Sequence, residues 1–141
     1  MRILGGIITH LRFVSTGLRV SDTLTLDFPE LLEYETLHVE REMMIALATL
    51  SPSIKEILPD EVYNSTHNIN AAYSLYWAGR LETPALVNAF RPGDFEKHGQ
   101  QLLNIMDTIP TDPIHDYELV DAWADYLGIR SWYSWLPYEA P

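Results

Sequence analysis

Glu118, Asp121 and Asp125 stand at i, i+3 and i+7, a spacing that puts neighbouring carboxylates about 5–6 Å apart along one side of a helix. Six acids and no Lys or Arg lie between Lys97 and Arg130. An unpaired row of that kind can substitute for phosphates and attract a basic groove. Directly after it come Trp132, Tyr133, Trp135, Leu136 and Tyr138, interrupted by Pro137 and closed by Pro141. Trp and Tyr join a large apolar area to a polar handle, which suits them to interfaces. The chemistry implied is docking, with carboxylates that steer and rings that anchor. The ordinary alternatives are a solvated helix face and a tail that folds back to complete the core.

Other chemistries find less support. The five histidines, His10, His38, His67, His98 and His115, are scattered. Glu35-x-x-His38 has the carboxylate–histidine spacing of a di-iron half-site, but its counterpart, Asp112-x-x-His115, is interrupted by Pro113. No cysteine is present, which removes disulfides, thiolate ligands and thiol nucleophiles. Gly5-Gly6 is only a pair, without the Lys-Ser/Thr of a phosphate loop, and no Gly-x-Ser-x-Gly elbow occurs. No metal and no cofactor are expected. Arg91-Pro92-Gly93-Asp94, with Lys97 and His98 behind it, is the one polar cluster outside the acidic background, and it reads first as a loop with a helix cap.

The net charge is −11. Arg2, Arg12 and Arg19 precede the first acid, Asp22; from there on twenty acids face six bases, a difference of −14. Direct nucleic-acid binding is disfavoured except through the N-terminal arginines, and a basic protein surface is the natural partner. The first residues do not resemble a signal peptide. No run approaches the roughly 18 apolar residues of a membrane span. The expected location is the cytoplasm.

The element that must present the acids is the clearest in the chain. Over Asp116–Leu127, Leu119, Val120, Trp123, Tyr126 and Leu127 form one stripe, with Glu118, Asp121 and Asp125 opposite. Thr111, Asp112 and Pro113 give start signals, with Asp116 as N-cap; Gly128 suits the left-handed C′ position and Ile129 the contact after it.

Upstream, Ile7, Leu11 and Phe13 precede the turn residues Ser15-Thr16-Gly17, and Leu18, Val20, Leu24, Leu26 and Phe28 alternate. This pattern predicts a β-hairpin or small antiparallel sheet over 1–28. Asp27-Phe28-Pro29-Glu30 resembles a capping box. Prolines then divide 29–128 into five to six mostly short helices, including 37–50 with Val39, Met43, Leu47 and Leu50 on one face, 52–58, 60–78, 85–90 and 95–108. The expected fold is α+β in a single domain, with 1–28 as sheet, 29–128 helical and 129–141 an aromatic tail.

Residues 41–64, REMMIALATLSPSIKEILPDEVYN, about a sixth of the chain, resemble the helix, Ser-Pro break, short helix and Leu-Pro pattern of some phage tail-assembly chaperones. That resemblance implies a structural or assembly subunit. The reading favoured by charge and aromatic content is a non-catalytic regulator or inhibitor that docks on a basic surface, such as that of a nucleic-acid-handling enzyme, through Glu118, Asp121, Asp125, Trp132, Tyr133 and Trp135. A small enzyme without a recognisable motif is the further alternative.

Overall fold

A computed structural model describes residues 2–137, with side chains from Gly5 onward. Tyr138 and Pro141 of the expected tail lie outside the described residues. The six α-helices among the described residues are α1 (Arg2–Asp27), α2 (Leu32–Ala48), α3 (Pro52–Ile57), α4 (Asp60–Arg80), α5 (Phe95–Asp107) and α6 (Asp116–Leu127). Short 3-10 turns cover Pro29–Leu31, Pro84–Phe90, Pro92–Asp94, Pro113–His115 and Arg130–Trp132. Four helices pack in a cycle, α4 against α5, α5 against α6, α6 against α1 and α1 against α4, while α2 lies outside it against α4. No helix among the described residues is long and apolar enough to cross a membrane.

The expected sheet is absent: the described residues contain no strand, and the fold is all-helical rather than α+β. Residues 2–27 form one helix because the period that matters there is helical. Ile7, Leu11, Ser15 and Leu18 are buried on one side, whereas Val20, Leu24, Leu26 and Phe28, the rest of the alternating set that began at Leu18, face solvent. The apparent turn Ser15-Thr16-Gly17 is helical because its hydroxyls find acceptors inside the helix. Ser15 Oγ donates to the Leu11 carbonyl (2.8 Å) and Thr16 Oγ1 to that of Arg12 (2.7 Å). Thr23 and Thr25 bond back four residues in the same way, the alternative that lets such residues sit within a helix. The capping box is not formed either: Asp27 ends α1, and Phe28 precedes the Pro29 turn without a side-chain cap. Leu47, placed inward with Val39 and Met43 by the sequence, is exposed.

The central helix is α4. Eleven of its residues are buried, around most of its circumference, as befits a helix enclosed by neighbours. Its closest contact is with α5. A Cβ added to Gly99 would stand 2.7 Å from the Ala72 nitrogen and 2.8 Å from the Ala71 carbonyl carbon. The two backbones therefore touch, which glycine and alanine alone permit. Behind this contact, Trp123 of α6 is fully buried and its Nε1 donates to the Leu102 carbonyl of α5 (2.8 Å).

Two arginines close the ends of helices. Arg19, buried on α1, donates from its guanidinium to the Ile109 carbonyl (2.8 Å) and to that of Pro110. With a longer bond to the Met106 carbonyl (3.4 Å) it ties α1 to the last turn of α5 and the segment after it, where carbonyls lack helical partners. Arg80, in the last turn of α4, pairs with Asp22 and donates to Thr25 Oγ1 (2.8 Å), fastening α4 to the end of α1.

His67 is a buried titratable group of the core, 1% exposed. It lies between Tyr63 (ring centroids 4.3 Å apart) and Phe95 (5.5 Å). Burial lowers its pKa to about 4, against the smaller opposing effect of the Thr49 backbone and alongside nearby His10. The fold thus holds it neutral, while the unfolded chain protonates it near 6.5.

Gly99→Ala is expected to lower stability by about 2–3 kcal/mol, since backbone must move. Gly79→Ala, with nothing within 4 Å of the new Cβ, should raise it by about 0.5–1 kcal/mol; urea midpoints of the two variants check both. As pH falls from 6.5 towards 4, His67 should subtract up to about 3 kcal/mol. His67→Gln, which cannot titrate, should flatten the pH dependence of the urea midpoint over that window, and a parallel curve would contradict the assignment.

Candidate functional site

Helix α6 forms over the expected residues, with the expected end. Gly128 is left-handed (φ 75°) and the Ile129 amide donates to the Ala124 carbonyl (2.9 Å). Its start differs from expectation. Asp112, not Asp116, is the capping side chain, accepting from the Ile114 amide (3.1 Å) at the head of the Pro113–His115 turn that runs into α6. Asp116 instead lies 3.9 Å from Arg19.

Of the six residues singled out at the C-terminus, the structure brings together Asp121, Tyr133 and Trp135, whose polar groups are engaged with one another. Tyr133 donates its hydroxyl to Asp121 Oδ1 (2.6 Å), Trp135 Nε1 donates to the same oxygen (2.8 Å), and Arg130 Nε lies 3.3 Å from it. Arg130 also stacks over the Tyr133 ring, 4.8 Å from its centroid. Burial and the Asp121 carboxylate raise the Tyr133 pKa, so its hydroxyl stays a donor. Trp132 and Tyr133 are half-buried against the core, and Trp135 is 45% exposed. Glu118 pairs with His115 Nδ1 (3.0 Å), a contact that lowers the carboxyl pKa. Asp125 is exposed. The row is thus divided: Asp121 organises the tail, Glu118 steadies the first turn, and Asp125 and Trp135 remain open to solvent. The Arg91–Asp94 loop is exposed, with Arg91 3.7 Å from Glu96, while His98 shares a hydrogen bond with Tyr126 (2.7 Å).

No family model, characterised protein or solved structure matches the chain. What the site can do must therefore come from its own surfaces.

The surface that sequence reasoning missed is on α2. This helix is apolar on two opposite sides. Val39 and Met43 are buried against α4, where Ser74 Oγ contacts Met43 Sδ (3.1 Å). On the other side Tyr34, Leu37, Met44 and Ile45 are each more than half exposed. At helical spacing these four fall on one stripe with Arg41. Glu33 and Glu40 border it on one edge, His38, Glu35 and Glu42 on the other. The signal was present in the sequence, but an apolar run with two stripes resembles a fully buried helix.

The Asp121 cluster makes its own prediction. Asp121→Ala should cost about 1–3 kcal/mol, as two donors and an arginine lose their acceptor. It should also open the chain after Tyr133 and Trp135 to chymotrypsin. Asp125→Ala should leave the cleavage rate of the native protein unchanged, and equal cleavage of the two variants would contradict the role given to Asp121.

Proposed function

We propose that the chain is a non-catalytic, acidic binding module of the cytoplasm that grips a protein partner whose apolar patch is ringed by Lys and Arg. The observation that carries this reading is the outward stripe of α2, with four large apolar side chains in the open between glutamates. Contiguous exposed apolar surface rimmed by polar groups marks interaction sites. The net charge of −11 and the glutamate borders select a basic partner. Nucleic-acid-handling enzymes present surfaces of that kind. Arg19, Arg80, Arg91 and Arg130 face carboxylates of their own chain, and Arg41, on the stripe itself, is outnumbered by the glutamates that border it. The α2 stripe supports the reading more strongly than the C-terminal cluster, where Asp121 already serves the tail.

The test uses an amphipathic helical peptide of alternating Leu and Lys turns, its Leu/Glu counterpart, and oxidative footprinting of the protein in extract of its source cells. The basic peptide should bind, weaken as salt rises, and lose about ten-fold in affinity with Leu37→Asp, a loss of about 1.4 kcal/mol. In extract, Tyr34 and Met44 should be protected from oxidation relative to buffer, while exposed Tyr117 is not. Equal binding of both peptides, or protection confined to Trp135, would overturn the reading. Concentration-dependent self-association that protects the same stripe without extract would replace it with the assembly-subunit alternative.

A further inference from the structure

Opposite its core-facing side, α1 carries a second apolar stripe. Phe13 and Val20 are more than half exposed, and Leu24 is exposed beside them. With Gly17 they follow steps of four, three and four residues, the spacing that keeps a seam on one side of a helix. Nothing lies within 4 Å of a Cβ added at Gly17, so the seam has a gap between large side chains. Glycine weakens the middle of a helix, and the described residues make no use of the space it leaves.

Charge selects the occupant. Residues 2–27 hold three Arg against two Asp, whereas the rest of the chain holds six bases against eighteen acids. A second copy of the chain is repelled by the remaining surface but not by α1. Arg12 and Asp27 are exposed on the same flank of the seam, and neither is in an ion pair among the described residues. Thr9, Thr16 and Thr23, seven residues apart, occupy the rest of that flank without charge. Two α1 helices laid antiparallel, about a two-fold axis midway between Gly17 and Val20, bring like flanks together. Val20 of each copy then enters the Gly17 gap of the other, and Phe13 meets Leu24. In that register Arg12 stands about 3 Å along the axis from Asp27 of the other copy, at 1.5 Å per residue. A parallel pairing would set Gly17 against Gly17 and leave the gap open.

We propose that α1 is a homodimerisation surface, an antiparallel two-helix seam through Phe13, Gly17, Val20 and Leu24, with Arg12 and Asp27 fixing its register. The contact is isologous, so it closes at two copies. It does not depend on the partner assigned to α2.

Sedimentation equilibrium of the full chain should show dimers at about 100 μM that dissociate on dilution, since two helices bury less than a standard interface of about 1,600 Å². Val20→Asp should be monomeric at that concentration with the Tm of the diluted native protein, because Val20 is exposed. Arg12→Glu and Asp27→Arg should each weaken the dimer about ten-fold, and the two together should restore it. The chain has no cysteine, so Phe13→Cys and Leu24→Cys should form disulfide-linked dimers under mild oxidation when mixed and not when alone. Leu37→Asp should leave the dimer intact, and Met44 should oxidise in it as fast as in the monomer. A protein that stays monomeric, a dimer that survives Val20→Asp, or a double charge reversal that fails to recover would each overturn the proposal. So would equal cross-linking of the cysteine variants alone and mixed. Loss of the dimer in Leu37→Asp, or protection of Met44, would place the contact on α2 and overturn it as well.

Discussion

The fold depends on how closely α5 lies on α4. At Gly99 the backbone of one helix meets the backbone of the other at Ala71 and Ala72, with no space for a methyl group between. This contact sets the level of everything beyond it. It places Leu102 where its carbonyl receives the Trp123 indole, and through that hydrogen bond it locates α6. It also brings the segment after α5 within reach of Arg19, which adds a polar tie to α1, itself packed on α4 and α6. Interiors packed this tightly respond to single methylenes, so the small residues at the crossing constrain the architecture as strongly as the large ones.

A second constraint is electrical. The chain has few cations, and the fold places several of them in structural roles. Arg19 is buried among carbonyls, Arg80 joins two helix ends, and Arg130 serves the tail. Each is answered by backbone or carboxylate of its own chain, so the negative surplus is displayed rather than neutralised. Of the N-terminal arginines, Arg19 faces inward and Arg12 is exposed.

What was legible in the sequence was local. Asp116–Leu127 and its Gly128 end could be read because one apolar stripe, one polar stripe and a glycine agree. Pro52, Pro84 and Pro113 each open a helical turn because the fixed φ of proline suits that position. The N-terminal helix was misread because threonines, β-branched residues and Gly17 favour strand and turn when considered alone. Its hydroxyls bond within the helix, and Ile7, Leu11 and Leu18 reach the core only at helical spacing. The exposure of the α2 stripe could not be anticipated, since an apolar run with two stripes resembles a fully buried helix. Nor could the importance of Gly99, which in isolation reads as a weak point in α5.

Helix α2 is attached differently from the rest. Only Val39 and Met43 of its seventeen residues are buried, and proline-led turns lie on either side, at Pro29 and Pro52. An element with so little buried surface opens at a lower free energy than the whole molecule. Its amides should therefore exchange with solvent well before those of α4 and α5.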